Sequence, residues 1–196
     1  MKVLIKTAPP KRILRWIQVA LFAVGILMLG YCGFVLADTW IFQKQEAAAL
    51  ESFVPLALVP SPAVVGPAGL IGRLQVERLG VSAMVMEGIS GKTLRRAVGH
   101  IAGTALPGQT GNVGIAGHRD TFFRPLRNIR ADDVITLTTL GGEYRYRVVS
   151  TKVVSPDNVA VLDSDSHEIL TLVTCYPFYF IGSAPERFIV RAERVT

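Results

Sequence analysis

The pattern of apolar residues divides the chain into two parts of different kind. The run Trp16–Ala37 is almost entirely apolar and carries no charged side chain. Its 22 residues match the roughly 20 that a helix needs to cross a bilayer core of about 30 Å. We therefore predict a membrane-spanning helix over 16–37. A cleaved signal peptide is the alternative, since Val35 and Ala37 suit a cleavage site, but its apolar run is usually only about 7–15 residues long.

The segment 38–69 follows this run, and its composition changes from helix-forming residues to a proline-rich stretch. Residues 38–52 are good helix formers with neither Gly nor Pro, so this half is helix-prone. Residues 53–69 contain four prolines, which exclude a regular helix or a central strand. We interpret 38–69 as a helix-prone and proline-rich stalk that follows the membrane anchor.

Short alternating apolar and polar runs fill the rest of the chain, from about Leu70 to Thr196. Two of them flank Gly141-Gly142, which predicts a β-hairpin. The runs Glu168–Cys175 and Glu186–Val195 are the clearest strands, while 91–101 has the spacing of a short helix. Seven or eight strands with one or two short helices predict an all-β barrel or sandwich over 70–196.

The charge distribution gives the orientation of the anchor. The chain has 21 basic and 15 acidic residues and a formal net charge of +6. Five of the basic residues and no acid precede the apolar run, so we expect residues 1–15 to be a cytoplasmic basic segment and the remainder to lie outside. These residues are Lys2, Lys6, Lys11, Arg12 and Arg15. The rest is nearly neutral and has no basic patch typical of nucleic-acid binding.

The two cysteines have different settings. Cys32 lies within the apolar run, where a small hydrophobe is expected, and Cys175 ends a strand just before a Tyr-Pro turn. This placement excludes an intramolecular disulfide, and two such cysteines with three scattered histidines make a structural zinc site improbable. Cys175 is either a buried packing residue or a nucleophile at the point where a strand opens into a loop.

A thiol nucleophile needs a proton-transfer partner and a group that stabilises negative charge. His118 ends an apolar strand beside charged residues and is the favoured partner, whereas His100 reads as structural and His167 as a solvated loop residue. Arg187 enters the last strand and would return beside Cys175 if the two strands pair. Alternatively, Arg187 is a surface arginine on an alternating strand. Arg191 and Arg194 are weaker candidates on the same strand.

These residues lie in motifs that resemble a known family. The pentapeptide "TLVTC" (Thr171–Cys175) matches the T-L-x-T-C signature of sortases. The segment "GNVGIAGHRDTFF" around His118 and the arginine on the following strand, Arg187, are also similar to that family. The segment "GTALPGQTGN" (Gly103–Asn112) resembles the one before the histidine strand in class D sortases. The resemblance covers about Leu70 to the C-terminus.

The resemblance implies a closed eight-stranded β-barrel and a cysteine transpeptidase. Cys175 would attack the threonine carbonyl of an L-P-x-T-G-like sorting motif and form a thioacyl-enzyme. His118 would act as general acid and base, and Arg187 would position the substrate and stabilise the oxyanion. Thr174 would contact the substrate or the oxyanion. The acceptor would be an amine of a cell-wall precursor or a pilin lysine.

The resemblance also implies a single-pass protein of the bacterial cytoplasmic membrane, with an extracytoplasmic catalytic domain. Some sortases bind calcium, but 103–112 has no carboxylate, and Asp157, Asp163 and Asp165 alone make a weak cation site. We therefore expect no metal and no cofactor. Two alternatives stay open: an exported thiol peptidase that releases its product to water, and a non-catalytic, membrane-tethered barrel that binds peptide or wall polymer.

Overall fold

One long helix and eight strands make up most of the chain that the computed structural model describes, residues 11–53, 63–179 and 182–195. Helix α1 covers Lys11–Phe53, and a short helix, α2, covers Gly91–Arg96. The strands in chain order are β1 Leu70–Val76, β2 Val81–Glu87, β3 Val98–His100, β4 Gly111–Ala116, β5 Val134–Thr139, β6 Gly142–Val154, β7 Glu168–Tyr176 and β8 Glu186–Val195.

The strands close into a barrel in the order β1-β2-β3-β4-β7-β8-β6-β5, with β5 paired to β1. The pairs β2–β3 and β4–β7 are parallel, and the other neighbours are antiparallel. Closure leaves no unpaired sheet edge among the strands that the structure describes. The predicted closed eight-stranded barrel is confirmed, and so is the hairpin at Gly141-Gly142, where β5 pairs with β6.

The core lies inside the barrel, where alternate residues of each strand meet. On β7, Leu170 and Leu172 are buried in this cluster, and on β5 the corresponding residues are Ile135 and Leu137. Tyr146 of β6 is fully buried with them. Because side chains alternate across a strand, the residues between these positions face the outer surface of the barrel.

The chain divides into two compact units, Met1–Trp40 and Ile41–Thr196. Helix α1 contributes to both units. It is long and apolar enough to cross a membrane by length and composition, and it is the only helix of the described part of the chain to meet that test. A signal sequence would meet the same test.

The second unit begins well before the predicted barrel boundary at residue 70. Leu50 of α1 has no exposed surface and packs with Leu70 and Met84. Gln43 donates through Nε2 to the carbonyl of Arg96 at 2.6 Å and accepts the amide of Met84 at 2.9 Å. The C-terminal turns of α1 are therefore part of the barrel domain.

The stalk over 38–69 stays a prediction, and the structure describes only parts of that segment. Residues 41–53 are helical and belong to the barrel unit, and Ala63 is buried with its amide bonded to the carbonyl of Pro107 at 2.8 Å. Residues 54–62 lie outside the described part of the chain. The helix packs here because its few apolar side chains, spaced as one narrow face, cover Leu70 and Met84 on the outside of the barrel.

Leu50→Ala tests whether this part of α1 belongs to the domain. Truncating a fully buried leucine should lower the free energy of unfolding of the barrel by about 2–5 kcal/mol. Pulse proteolysis of the full chain in detergent across a urea series measures this quantity. The control is Ile41→Ala on the same helix, since Ile41 is 47% exposed and should change it by at most about 0.5 kcal/mol. Equal stability of Leu50→Ala and the wild type would contradict the domain boundary.

Candidate active site

Strand β7 places Cys175 relative to its parallel neighbour β4. The pairing runs from Gly111 opposite Glu168 to Ala116 opposite Val173. His118 lies two residues beyond Ala116, and Cys175 lies two residues beyond Val173. The register therefore brings His118 and Cys175 to the same level at the same end of the barrel, although they are far apart in the chain.

Two hydrogen bonds keep these strand ends together after the last paired residues. The amide of Gly117 donates to the carbonyl of Val173 at 3.1 Å, and Thr174 Oγ1 donates to the carbonyl of Gly117 at 2.7 Å. Thr174 is only 2% exposed. Its hydroxyl proton is thus engaged with the main chain before His118, and the predicted contact of Thr174 with substrate stays a prediction.

Strand β8 supplies the second neighbour of Cys175. In the antiparallel pairing of β7 and β8, Cys175 is directly opposite Arg187. Directly opposed residues project to the same face of a sheet. Both side chains are partly buried, and Arg187 Nη1 donates to the carbonyls of Ala184 at 3.2 Å and Glu186 at 3.0 Å. The expectation that the last two strands pair and return Arg187 to the level of the thiol is confirmed.

Cys175 belongs to the outward-facing set of β7 residues, since Leu170 and Leu172 face the core. Three aromatic rings lie at this end of β7 and β8: Phe178 belongs to the core cluster, and Tyr176 and Phe188 pack against it. Phe178 and Phe188 make an edge contact with centroids 5.3 Å apart, and Tyr176 stacks on Phe188 at 6.3 Å. Rigid aromatic packing beneath the strand ends limits how far Cys175 can move.

The turn that carries His118 is shaped by a close approach of a ring to the backbone. Phe123 is fully buried, and a Cβ atom at position 117 would lie 2.7 Å from its ring. Gly117 is therefore required for this packing. The amides of Thr121 and Phe123 donate to the carbonyl of His118 at 3.4 and 3.2 Å. The His118 side chain itself is exposed, so it is accessible to a substrate.

The other end of β7 is held by a charged network. Glu168 accepts hydrogen bonds through Oε1 from the amide of Gly108 at 2.9 Å and from the Tyr146 hydroxyl. Arg194 Nε lies 3.5 Å from Glu168 Oε2. Burial, and then the hydrogen bond to Glu168, raise the pKa of Tyr146. Tyr146 therefore stays protonated and serves as a donor that fastens the start of β7.

The two remaining histidines have the settings that the sequence predicts, His100 as a structural residue and His167 as a solvated loop residue. His100 is 3% exposed and bonds through Nδ1 to Glu87 at 2.8 Å and through Nε2 to Thr104 Oγ1 at 3.0 Å. His167 is exposed in the loop before β7. Its amide and the guanidinium of Arg191 lower the pKa of Asp165, so this loop carboxylate is already engaged with protein groups.

Sequence reasoning missed one charged residue at this end of the barrel. Arg119 follows His118, and the sequence suggests only a polar neighbour that would keep the histidine exposed. In the structure Arg119 is 6% exposed and donates to main-chain carbonyls of the connection between β7 and β8. No local pattern signals this burial, because the two partners lie 58 and 63 residues further along the chain.

Comparisons with known proteins agree with the fold. The sortase domain model matches residues 74–195. Sortase D of Bacillus subtilis (strain 168) is 29% identical over 194 residues, which cover 92% of this chain and 98% of that protein. Sortase SrtE1 of Streptomyces coelicolor is 35% identical over 136 residues, covering 60% of this chain and 39% of that protein.

Solved structures show the same relationship. A sortase D5 transpeptidase of Clostridium perfringens superposes with a TM-score of 0.65 at 26% identity, over 79% of this chain and 99% of that chain. Sortase C1 of Streptococcus agalactiae gives a TM-score of 0.62 at 28% identity, over 68% of this chain and 71% of that chain. With the family model covering more than half of its length, the chain belongs to the sortase family of cysteine transpeptidases.

Proposed function

We propose that this chain is a membrane-anchored transpeptidase of the class D type that cleaves L-P-x-T-G-like sorting motifs after threonine. The observation that carries the proposal is the meeting of three strand ends at one level: Cys175 on β7, Arg187 opposite it on β8, and His118 just beyond β4. A nucleophile, a proton carrier and a fixed guanidinium are the groups that acyl transfer through a thioester requires.

In the first half of the reaction, the Cys175 thiol gives its proton to His118, and the sulfur attacks the threonine carbonyl carbon. The C–N bond to the following residue then breaks, and His118 gives a proton to the departing amine. This leaves a thioester between threonine and Cys175. In the second half, an incoming amine loses a proton to His118 and attacks the thioester, and the cysteine sulfur leaves.

Arg187 is proposed to hold the substrate and the negative charge that develops on the carbonyl oxygen. Its Nη1 already donates to the carbonyls of Ala184 and Glu186, so the guanidinium is anchored to the main chain that leads into β8. A planar guanidinium with several donors suits this task better than a single ammonium group. Prior orientation matters because reorganisation during the reaction would cost rate.

The anchor and the acceptor complete the proposal. The apolar, uncharged part of α1 supports a single membrane span, and the basic residues before it support a cytoplasmic N-terminus. The domain would then act outside the cell on sorting signals presented at the membrane. We propose an amine of a cell-wall precursor or a pilin lysine as the acceptor.

The full chain in detergent, with an L-P-x-T-G peptide and an amine acceptor, should yield a ligated peptide and a trapped thioester at Cys175. Mass spectrometry measures both products. Cys175→Ala should abolish them, since the nucleophile is gone, while Cys32→Ala is the matched control and should leave the rate unchanged. Hydrolysis that ignores the amine would favour a thiol peptidase. Absence of cleavage across motif variants would favour a binding module, and loss of activity in Cys32→Ala alone would overturn the assignment.

Arg187→Lys should lower kcat/KM by about 100-fold, because lysine keeps the charge but loses the fork of donors. Steady-state kinetics with the sorting peptide measures this change. Arg191→Lys is the matched control, since Arg191 lies on the same face of β8 and pairs with Asp165 at 2.6 Å. A similar loss in both variants, or none in Arg187→Lys, would contradict the proposed role.

Thr174→Val should lower kcat with little change in KM, because the carbonyl of Gly117 loses its donor and the strand ends separate. The unsatisfied carbonyl should also cost about 1–3 kcal/mol of stability. Thr174→Ser keeps the hydroxyl, so both kcat and the stability should stay close to the wild-type values. Steady-state kinetics of the two variants measures kcat and KM, and urea unfolding measures their stability. A rise in KM with normal stability would instead favour the direct substrate contact predicted from the sequence.

A further inference from the structure

Arg119 is a buried charge next to the candidate proton carrier. It follows His118 in the turn after β4, and its side chain is 6% exposed. Arginine is rarely buried unless its donors are satisfied, because removing the charge from water is costly. The hydrogen-bond partners of Arg119 therefore indicate what its burial in this turn achieves.

Its strongest partners are main-chain carbonyls on both sides of the β7–β8 connection. Nη1 donates to the carbonyl of Pro177 at 2.7 Å, and Nη2 donates to the carbonyl of Gly182 at 3.3 Å. Nε lies 3.4 Å from Asp120, whose side chain is 64% exposed. An ion pair so open to solvent contributes little, so the two carbonyl bonds contribute more to the fixation of Arg119 than this ion pair does.

These two carbonyls are close to the other candidate catalytic groups. Pro177 is two residues after Cys175, and Gly182 is five residues before Arg187. One guanidinium therefore contacts the chain just after the thiol and just before the arginine, while its own backbone adjoins His118. A further contact joins the same segments, since the Arg127 guanidinium lies 5.7 Å from the Tyr179 ring.

We propose that Arg119 is a positioning residue for the acyl transfer. It ties the main chain beyond both β7 and β8 to the turn of His118, where the sheet ladder no longer holds these segments together. The proposal rests on the function proposed above. A planar guanidinium can donate to two carbonyls at once, whereas a lysine ammonium would bond to one of them and hold it less rigidly. Small displacements of reacting groups cost rate steeply.

The test compares Arg119→Gln and Arg119→Lys with the wild type in the full chain. We expect kcat to fall by about 10- to 100-fold in Arg119→Gln and by less in Arg119→Lys, which keeps one donor. KM should change less than about threefold, since the buried side chain does not touch substrate. The matched control is Arg124→Gln, an exposed arginine in the same turn, which should keep wild-type kinetics.

Hydrogen exchange gives a second measurement that does not depend on activity. In Arg119→Lys, amides near Tyr176–Tyr179 and Gly182–Arg187 should exchange faster, while those of the β5–β6 hairpin should be unchanged. Uniformly faster exchange, with a loss of activity equal to the unfolded fraction, would overturn the proposal and leave a purely structural role. Unchanged kcat, or a rise in KM alone, would overturn it as well.

The outcomes separate this inference from the proposed function. If the wild type forms no thioester at Cys175, the proposed function fails, whatever Arg119 does to hydrogen exchange. If the wild type is active and Arg119→Gln transfers peptide at the same rate, only the role of Arg119 fails.

Discussion

The register of β7 is the constraint on which the candidate site depends. This strand is hydrogen-bonded on both sides, to β4 in parallel and to β8 in the antiparallel sense. A slip of one residue would exchange the faces of the strand, so that Leu170 and Leu172 would leave the core and Cys175 would enter it. Burial of the leucines therefore determines the direction of the thiol. The inward face of β7 packs in the core and stabilises the barrel, and its outward face carries the candidate nucleophile.

The two ends of β7 are held in different ways that suit different tasks. Its first residue, Glu168, is fixed by Tyr146, Arg194 and the amide of Gly108, a network of charge-assisted bonds far along the strand from the thiol. Beyond its ladder with β8, the C-terminal end of β7 is tied to the turn of His118. Gly117 donates to Val173, Thr174 donates to Gly117, and Arg119 donates to Pro177 just after the strand. These bonds orient the end of the strand through uncharged main-chain groups.

Much of the barrel follows from local patterns. Alternation predicts β7 and β8 almost to the residue, and the glycine pair at 141–142 predicts the hairpin between β5 and β6. The packing of α1 on the barrel does not follow in this way. Its buried face between Gln43 and Leu50 is narrow, and the glutamine is satisfied by groups of Met84 and Arg96. A polar residue that bonds to distant main chain leaves no periodic signal in its own segment.

The sequence by itself determined the membrane-span prediction and the strand pattern, since these depend on composition and period. It also named Cys175, His118 and Arg187 as candidates, a choice that the resemblance of their motifs to sortases favoured. Only the tertiary structure decided that the parallel pairing of β4 with β7 brings His118 to the level of Cys175. It alone also showed that Thr174 and Arg119 are buried and bonded to carbonyls. The physical reason is that pairing between distant strands depends on which faces can be buried together, and that is a property of the closed barrel rather than of any one segment.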